Sequence, residues 1–504
     1  MPEPVTAETL TAPTPVCERC EELDRFYAER GGALAWTGPG NVYAYHQLLE
    51  AIAAMESHGL DPELYGFATL VAASPVHADL ALDEQATRAW LEMAHDLSGG
   101  RLDPRVYEPG WISPHEHPDP VARLNLALEL DAVALSLAEL APNDDGYHRL
   151  REALRVYRAL ALEPQRHPVS PGPALHPGDA GPRVVQLRDR LEADGYLDGS
   201  HPVADRDVFD AALADAVVAL QRAVHLDADG IVGEETLRWL SISAADRVAQ
   251  IEANLERRRW RRTPSGRALR VNIPDFSLEV LEDGAIVDRH RVIVGRISRP
   301  TPVFAAELSY LILNPWWETP YSLAVRDELP AFRADPDMVA RLGFQVLDEN
   351  EQIVDTAQLD WNTVPSDPFP FRLRQAPGPD NALGEVKFIF PNPHNTYLHD
   401  TPARHLFDQS RRAYSSGCMR VEAPLDLARW VTEGLEGWTG QSVDAVAAGD
   451  EETRVDLTAR IPVDVVYWTV IPSQGSWVRF VADLYEKDEA IINGLSGGSP
   501  NSQE

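Results

Sequence analysis

A chain of 504 residues exceeds what one hydrophobic core supports, so several domains are expected, and 44% hydrophobic with 25% charged residues is an ordinary globular balance. A formal net charge of −34 argues against nucleic acid and anionic membrane surfaces as partners, because those are bound by Lys and Arg neutralising phosphates. No apolar run reaches the length of about eighteen residues that a membrane span needs, so no transmembrane segment is expected, and Met1-Pro2-Glu3-Pro4 opens no signal-peptide pattern, which leaves a cytoplasmic address or a signal missing from this sequence.

In chain order the expected fold is α+β and multidomain. Residues 1–18, rich in Pro, Thr and Glu, read as a disordered leader. Cys17 and Cys20 form a lone Cys-x-x-Cys; with no second pair to complete a zinc tetrahedron, an incidental or oxidised pair is expected. From Glu21 apolar residues recur at helical spacing until Gly31-Gly32, where a helix should stop. Leu48, Leu49, Ile52 and Ala53 mark the next helix, closing at His58-Gly59, and segments 63–72, 83–97 and 119–140 repeat the pattern, giving an all-α domain over residues 19–163. Its aromatics, among them Phe26, Tyr27, Trp36 and Trp111, sit at spacings that pack inward.

Residues 164–176 are too proline-dense for helix or strand and read as a linker. A compact unit of three helices follows at 177–243, from Gly178-Asp179-Ala180-Gly181 to the turn Asp227-Ala228-Asp229-Gly230 before Thr236; that turn lacks the twelve-residue ligand pattern of a calcium loop. A helix over 245–262 ends in Arg257-Arg258-Arg259-Trp260-Arg261-Arg262, a run expected to be a solvated helix end where cations offset the dipole. The period then becomes two: Leu269, Val271, Ile273, then Phe276, Leu278, Val280, the turn Glu282-Asp283-Gly284, and Val292-Ile293-Val294-Gly295 read as hairpins. After the strand Leu308–Leu313, a helical insertion at about 321–366 interrupts this mostly-β domain of residues 244–494, as a long insertion does when it is dispensable or a lid. Strands resume near Phe371–Gln375, Leu425–Trp430 is a helix, Val463–Ile471 and Val478–Phe480 close the sheet, and 495–504 is a polar tail.

The chemistry concentrates between Tyr397 and Arg420. His399 stands nineteen positions before Cys418, which lies in a Ser-Gly-Cys turn with Arg420 two positions on. A thiol must lose its proton before attacking a carbonyl, and a histidine in reach is the usual acceptor. Ser416 and Gly417 permit a sharp turn that would aim the amides of Gly417 and Cys418 at an oxyanion. Arg420 shares a face with Cys418 if the backbone is extended, Tyr397 shares one with His399, and Asp400 points the other way, as a turn residue. Cys418 therefore reads as the nucleophile and His399 as general base and acid. A zinc reading from His394, His399 and His405 matches no ligand spacing, and no metal or cofactor is called for.

The run Pro391-Asn392-Pro393-His394-Asn395-Thr396-Tyr397-Leu398-His399-Asp400-Thr401-Pro402, followed by Arg412-Ala413-Tyr414-Ser415-Ser416-Gly417-Cys418-Met419-Arg420, closely resembles the active-site signature of L,D-transpeptidases with a YkuD-type catalytic domain. The three-helix unit is similar to the peptidoglycan-binding domain type 1, and the helical region to the scaffold of the longer periplasmic members. The resemblance implies a β-sandwich-like catalytic domain, an insertion that caps the groove, and a periplasmic address. It implies 3-3 cross-linking of peptidoglycan: a tetrapeptide stem is the donor, a thioester forms with loss of the terminal D-alanine, and an amine of a second stem is the acceptor. Carbapenems would be inhibitors. Hydrolysis, lipoprotein anchoring or non-catalytic wall binding are the alternatives. Arg420 becomes a signature residue for loop or substrate; Trp316, Trp317, Asn392 and Tyr414 become groove residues. Ser416 stands where many relatives carry His, which confines the proton chemistry to His399.

Overall fold

The computed structural model describes residues 20–112, 118–162, 169–200, 205–261, 264–473 and 478–497. The expected leader, Cys17, the start of the linker, Arg262 and the last residues of the tail lie outside these. Cys20 is disulfide-bonded. The chain divides into two compact units: Met1–Arg101 with Glu116–Asn143 and Arg258–Trp260, and Leu102–His115 with Asp144–Arg257 and Arg261–Glu504. Among the described residues no helix is long and apolar enough to cross a membrane.

The first unit is helical. Helix Cys20–Glu29 ends where Gly31 and Gly32 take positive φ of 63° and 81°, as the sequence requires. Helices Val42–Ala54, Leu80–Gly99 and Pro120–Glu129 follow, and Phe26, Trp36, Leu48 and Trp90 are fully buried between them. Asp83, itself buried, accepts the amides of Ala35, Trp36 and Thr37 at 2.8–3.0 Å and the hydroxyls of Tyr27 and Thr37 at 2.7 and 3.1 Å. The carboxylate thereby gathers donors from a turn that has no helix or sheet to satisfy them.

In the second unit, helices Pro182–Ala193, Ala211–Ala223 and Glu234–Leu240 close on Val184, Leu187, Leu213, Val217 and Leu220. Val169 and Leu175, from the stretch read as linker, are buried in this same core, and Leu175 bridges to Val232. The prolines there hold the backbone extended enough to pair, so this half of the stretch is part of the module. Asp229 accepts from the Ile231 amide and from Gln221, which makes its loop a self-satisfied turn.

The described arginines of the run at the end of helix Ala244–Arg259 are not solvated. Arg257, Arg258, Arg259 and Arg261 are all buried. In the second unit, Arg257 pairs with Asp488, and Arg261 donates to Asp464 at 2.7 Å and to the Val465 carbonyl at 3.0 Å while stacking on Trp111. The guanidiniums of Arg257 and Arg261 are tolerated inside because acids and a carbonyl from the far end of the chain meet them.

The strands are β1 (Arg267–Asn272), β2 (Ser277–Glu282), β3 (Ala285–Gly295), β4 (Phe304–Leu313), β5 (Trp317–Glu318), β6 (Phe344–Leu347), β7 (Arg372–Gln375), β8 (Val386–Ile389), β9 (Leu398–His399), β10 (Ala413–Ser415), β11 (Met419–Val421), β12 (Thr453–Val466), β13 (Val470–Pro472) and β14 (Val478–Phe480). Nine form one mixed sheet in the order β10-β3-β11-β9-β8-β4-β12-β1-β2, and β2 also pairs with β3, so the sheet closes on itself. Two local features make the closure possible. The long β3 pairs with β2 over Ala285–Arg291 and with β11 at Val292 and Ile293, and a register shift in β2–β3 falls near its start, between Ile286 and Asp288. The interior is Leu, Val, Ile and Phe from alternate positions, covered by helix Pro424–Thr432.

The insertion read as helical carries a sheet as well. After helices Leu329–Ala334 and Met338–Arg341, β6 pairs with β7 and β7 with β5, and Leu329, Phe332, Phe344, Trp361 and Leu373 form a separate core. The strand at Arg372–Gln375 thus belongs to this cap, and the main sheet resumes only at β8.

Candidate active site

Parallel pairing of β9 with β11 builds the site. The register sets Leu398 beside Met419 and His399 beside Arg420. Leu398 and Met419 point into the hydrophobic core and are fully buried, so alternation sends Tyr397, His399, Cys418 and Arg420 to the opposite face. All four line one cavity of about 750 Å³, with Trp317, Arg326 and Tyr414 on its rim.

The His399 ring donates from Nδ1 to the carbonyl of Asp400 at 2.5 Å, which leaves Nε2 as the acceptor. Burial, then the neighbouring Arg420 guanidinium, and Lys387 across β8 push its pKa down to about 3, so the imidazole is neutral. The Asp400 side chain turns away as expected: it accepts the Glu385 amide and pairs with Arg404. A Cβ on Gly384 would stand 2.2 Å from that carboxylate, so glycine is required there.

Burial raises Cys418 above the usual thiol range, an effect opposed by hydrogen bonds from the Tyr397 amide and hydroxyl and by the Arg420 charge. Its Sγ lies 4.0 Å from the Asn395 carbonyl; among the described residues it makes no hydrogen bond to His399. The phenol of Tyr397, pushed well above its ordinary range by burial and then by Cys418, is also in contact with the sulfur. Arg420 has its Nε buried without a partner among the described residues.

The loop before the cysteine differs from expectation at its amide. Gly417 has φ +118°, a conformation reserved for glycine, but its N–H donates to Ser415 Oγ at 3.1 Å, which corrects its reading as an oxyanion donor. Ser415 Oγ in turn donates to the Cys418 carbonyl at 2.5 Å, and Thr301 donates to the Gly417 carbonyl at 2.9 Å. With the loop braced this way, of the amides of Gly417 and Cys418 only that of Cys418 is without a protein partner among the described residues. Ser416 Oγ is held by Arg296 at 3.0 Å and by Arg299 at 2.9 Å, and Arg299 also pairs with Asp327 of the cap at 2.9 Å. Glu328 beside it is raised to about 7 by burial and by Asp327. Ser415, Arg296 and Arg299 escape sequence reading, since only the tight Gly295–Thr301 turn, where a Cβ on Gly295 would meet Arg299 O at 2.3 Å, brings them over.

Two proposed groove residues belong elsewhere. Asn392 donates to Phe390 and Thr396 carbonyls at 2.7 Å each and accepts from the amides of His394 and Thr396, so it shapes the loop and does not line the cavity. Trp316 lies under Arg374, 4.6 Å from ring to guanidinium, while Trp317 faces the cavity. His394 lines the cavity and donates to the Gly110 carbonyl, whereas His405 is exposed outside it, so the three histidines do not converge.

Residues 266–446 match the model of the L,D-transpeptidase catalytic domain, residues 21–154 that of a scaffold domain, and residues 180–240 that described as "Putative peptidoglycan binding domain". A Haemophilus influenzae protein named "Putative L,D-transpeptidase" is 39% identical over 221 residues, 44% of this chain and 44% of that protein, so the match spans less than half the relative's length. Among solved structures, an L,D-transpeptidase (residues 123–326) from Xylanimonas cellulosilytica is 15% identical, covering 59% of this chain and 99% of that one at a TM-score of 0.17. An L,D-transpeptidase from Mycobacterium smegmatis is 13% identical, covering 40% and 59% at 0.18.

Proposed function

We propose that this chain, which carries a scaffold domain, a peptidoglycan-binding domain and an L,D-transpeptidase catalytic domain, acts outside the cytoplasm as a peptidoglycan L,D-transpeptidase forming 3-3 cross-links. One observation carries the reading: Cys418, His399 and Arg420 share one face of two paired strands, with Nδ1 of His399 tied to a carbonyl and Nε2 left to accept a proton.

Thiol and imidazole are both neutral at rest, so attack is base-assisted and no thiolate–imidazolium pair is stored. Cys418 Sγ bonds to the carbonyl carbon between the third stem residue and the terminal D-alanine while His399 Nε2 takes the thiol proton. The amide of Cys418 faces the oxyanion, and Arg420 supplies positive charge and an unpaired N–H. Collapse breaks the C–N bond, His399 protonates the departing amine, and a thioester remains. An amine of a second stem then attacks the thioester, returns its proton through His399 and releases the thiol. The link from Ser416 through Arg299 to Asp327 supports the view that the cap closes the donor groove.

Incubation with tetrapeptide-bearing muropeptides tests the reading. Cross-linked dimers with loss of one D-alanine are expected from the native chain and not from Cys418→Ala; tripeptide alone would leave hydrolysis in its place.

A further inference from the structure

A second cavity, of about 510 Å³, lies in the second unit away from the cysteine, between the three-helix module, helix Asp145–Ala161, the start of helix Ala244–Arg259 and strand β14. Three arginines line it. Arg190 pairs with Asp194 at 2.6 Å and donates to the carbonyls of Leu240 and Ile242; Arg479 pairs with Asp275 at 2.6 Å and donates to Ala223. Arg247 is different. It is 4% exposed, lies between the rings of Trp239 and Phe480 at 4.2 and 4.3 Å, and donates to the Gln250 amide oxygen at 2.7 Å. Among the described residues it has no carboxylate partner. Burial lowers its pKa to about 10, with Arg190 adding to the effect, and Asp194, which is paired to Arg190, offsets only part of it.

A buried guanidinium held flat between two rings keeps its fork fixed, which suits bidentate capture of a carboxylate. Tyr157, Leu160 and Tyr196 add an apolar and phenolic wall for the body of such a ligand. Arg247, Phe480 and Tyr157 all lie outside residues 180–240, so the module alone does not contain the site.

We propose that this cavity is a second binding site, taking the carboxylate of a short peptide on Arg247. That the peptide is a wall stem rests on the wall-acting reading above; the carboxylate chemistry does not.

Isothermal titration of the full chain carrying Cys418→Ala, with a stem tetrapeptide as free acid and as C-terminal amide, tests it. The free acid is expected to show a binding event that weakens at least tenfold in Arg247→Gln and that the amide reproduces only as weakly. Should Arg247→Gln melt early, Ala245→Trp at the exposed rim fills the cavity without removing a buried charge and is expected to abolish the same event. Isotherms of both variants superimposable on the parent, or equal binding of acid and amide, would overturn the proposal. An event that depends on Arg247, found while the native chain with Cys418 intact forms no cross-links from muropeptides, would keep this site and sink only the catalytic reading.

Discussion

Asp83 in the helical unit and the Cys418–His399–Arg420 face in the sheet domain are both buried polar sites, yet they are built to opposite ends. Asp83 is saturated by five donors from two short segments, so its burial fixes a turn and leaves nothing for a ligand. On the strand face, Arg420 Nε has no partner, Nε2 of His399 is an open acceptor, and the thiol rests on a phenol. Burial with uncommitted capacity is what reacting groups need, and it is held in place by neighbours such as Ser415 and the Asp400 carbonyl, which are committed.

Substitutions at the two places should separate accordingly. Asp83→Ala strands buried amides and is expected to destabilise the helical unit by about 3–5 kcal/mol, seen as a lowered thermal or denaturant transition, with cysteine acylation unchanged in the folded fraction. Arg420→Gln is expected to leave the transition in place and to lower kcat/KM by about 10²–10³, the size of a lost oxyanion donor; an equal loss of stability would merge it with the Asp83 kind. Arg299→Ala removes the tie between Ser416 and Asp327 and is expected to raise KM for muropeptides by about tenfold or less with a smaller change in kcat, because this pair is partly exposed. A drop in kcat at constant KM would instead make Arg299 part of the reacting centre.

The strand face was legible because alternation and a Ser-Gly-Cys turn are local: Leu398 and Met419 as core residues fix where His399 and Cys418 point. The helical unit was legible for the same reason, with Gly31 and Gly59 stopping helices where a positive φ is needed. What escaped depends on partners far along the chain. An arginine run looks solvated until Asp464 and Asp488, more than 200 positions on, are seen to receive it. β5 is two residues long and gains meaning only by pairing with β7, so the cap read as helix alone. Asn392 and Trp316 look like groove residues beside the motif, but hydrogen bonds and stacking within their own loops turn them away. Arg296 and Arg299 carry no motif, and their place over Ser416 follows from a turn that glycine alone permits.

The central claim, a neutral Cys418 activated by a neutral His399, is tested most directly by intact-mass measurement of carbapenem acylation against pH. One adduct per chain is expected, absent in Cys418→Ala. Because His399 stays unprotonated down to about pH 3 and the thiol keeps its proton past its ordinary range, the reactive neutral pair is fully populated around neutrality, and the rate should be flat from about pH 5 to about pH 8. An adduct that survives Cys418→Ala, a thiolate absorbance at neutral pH, or a rate that climbs about tenfold per pH unit through neutrality as attack by a free thiolate would give, would contradict the account.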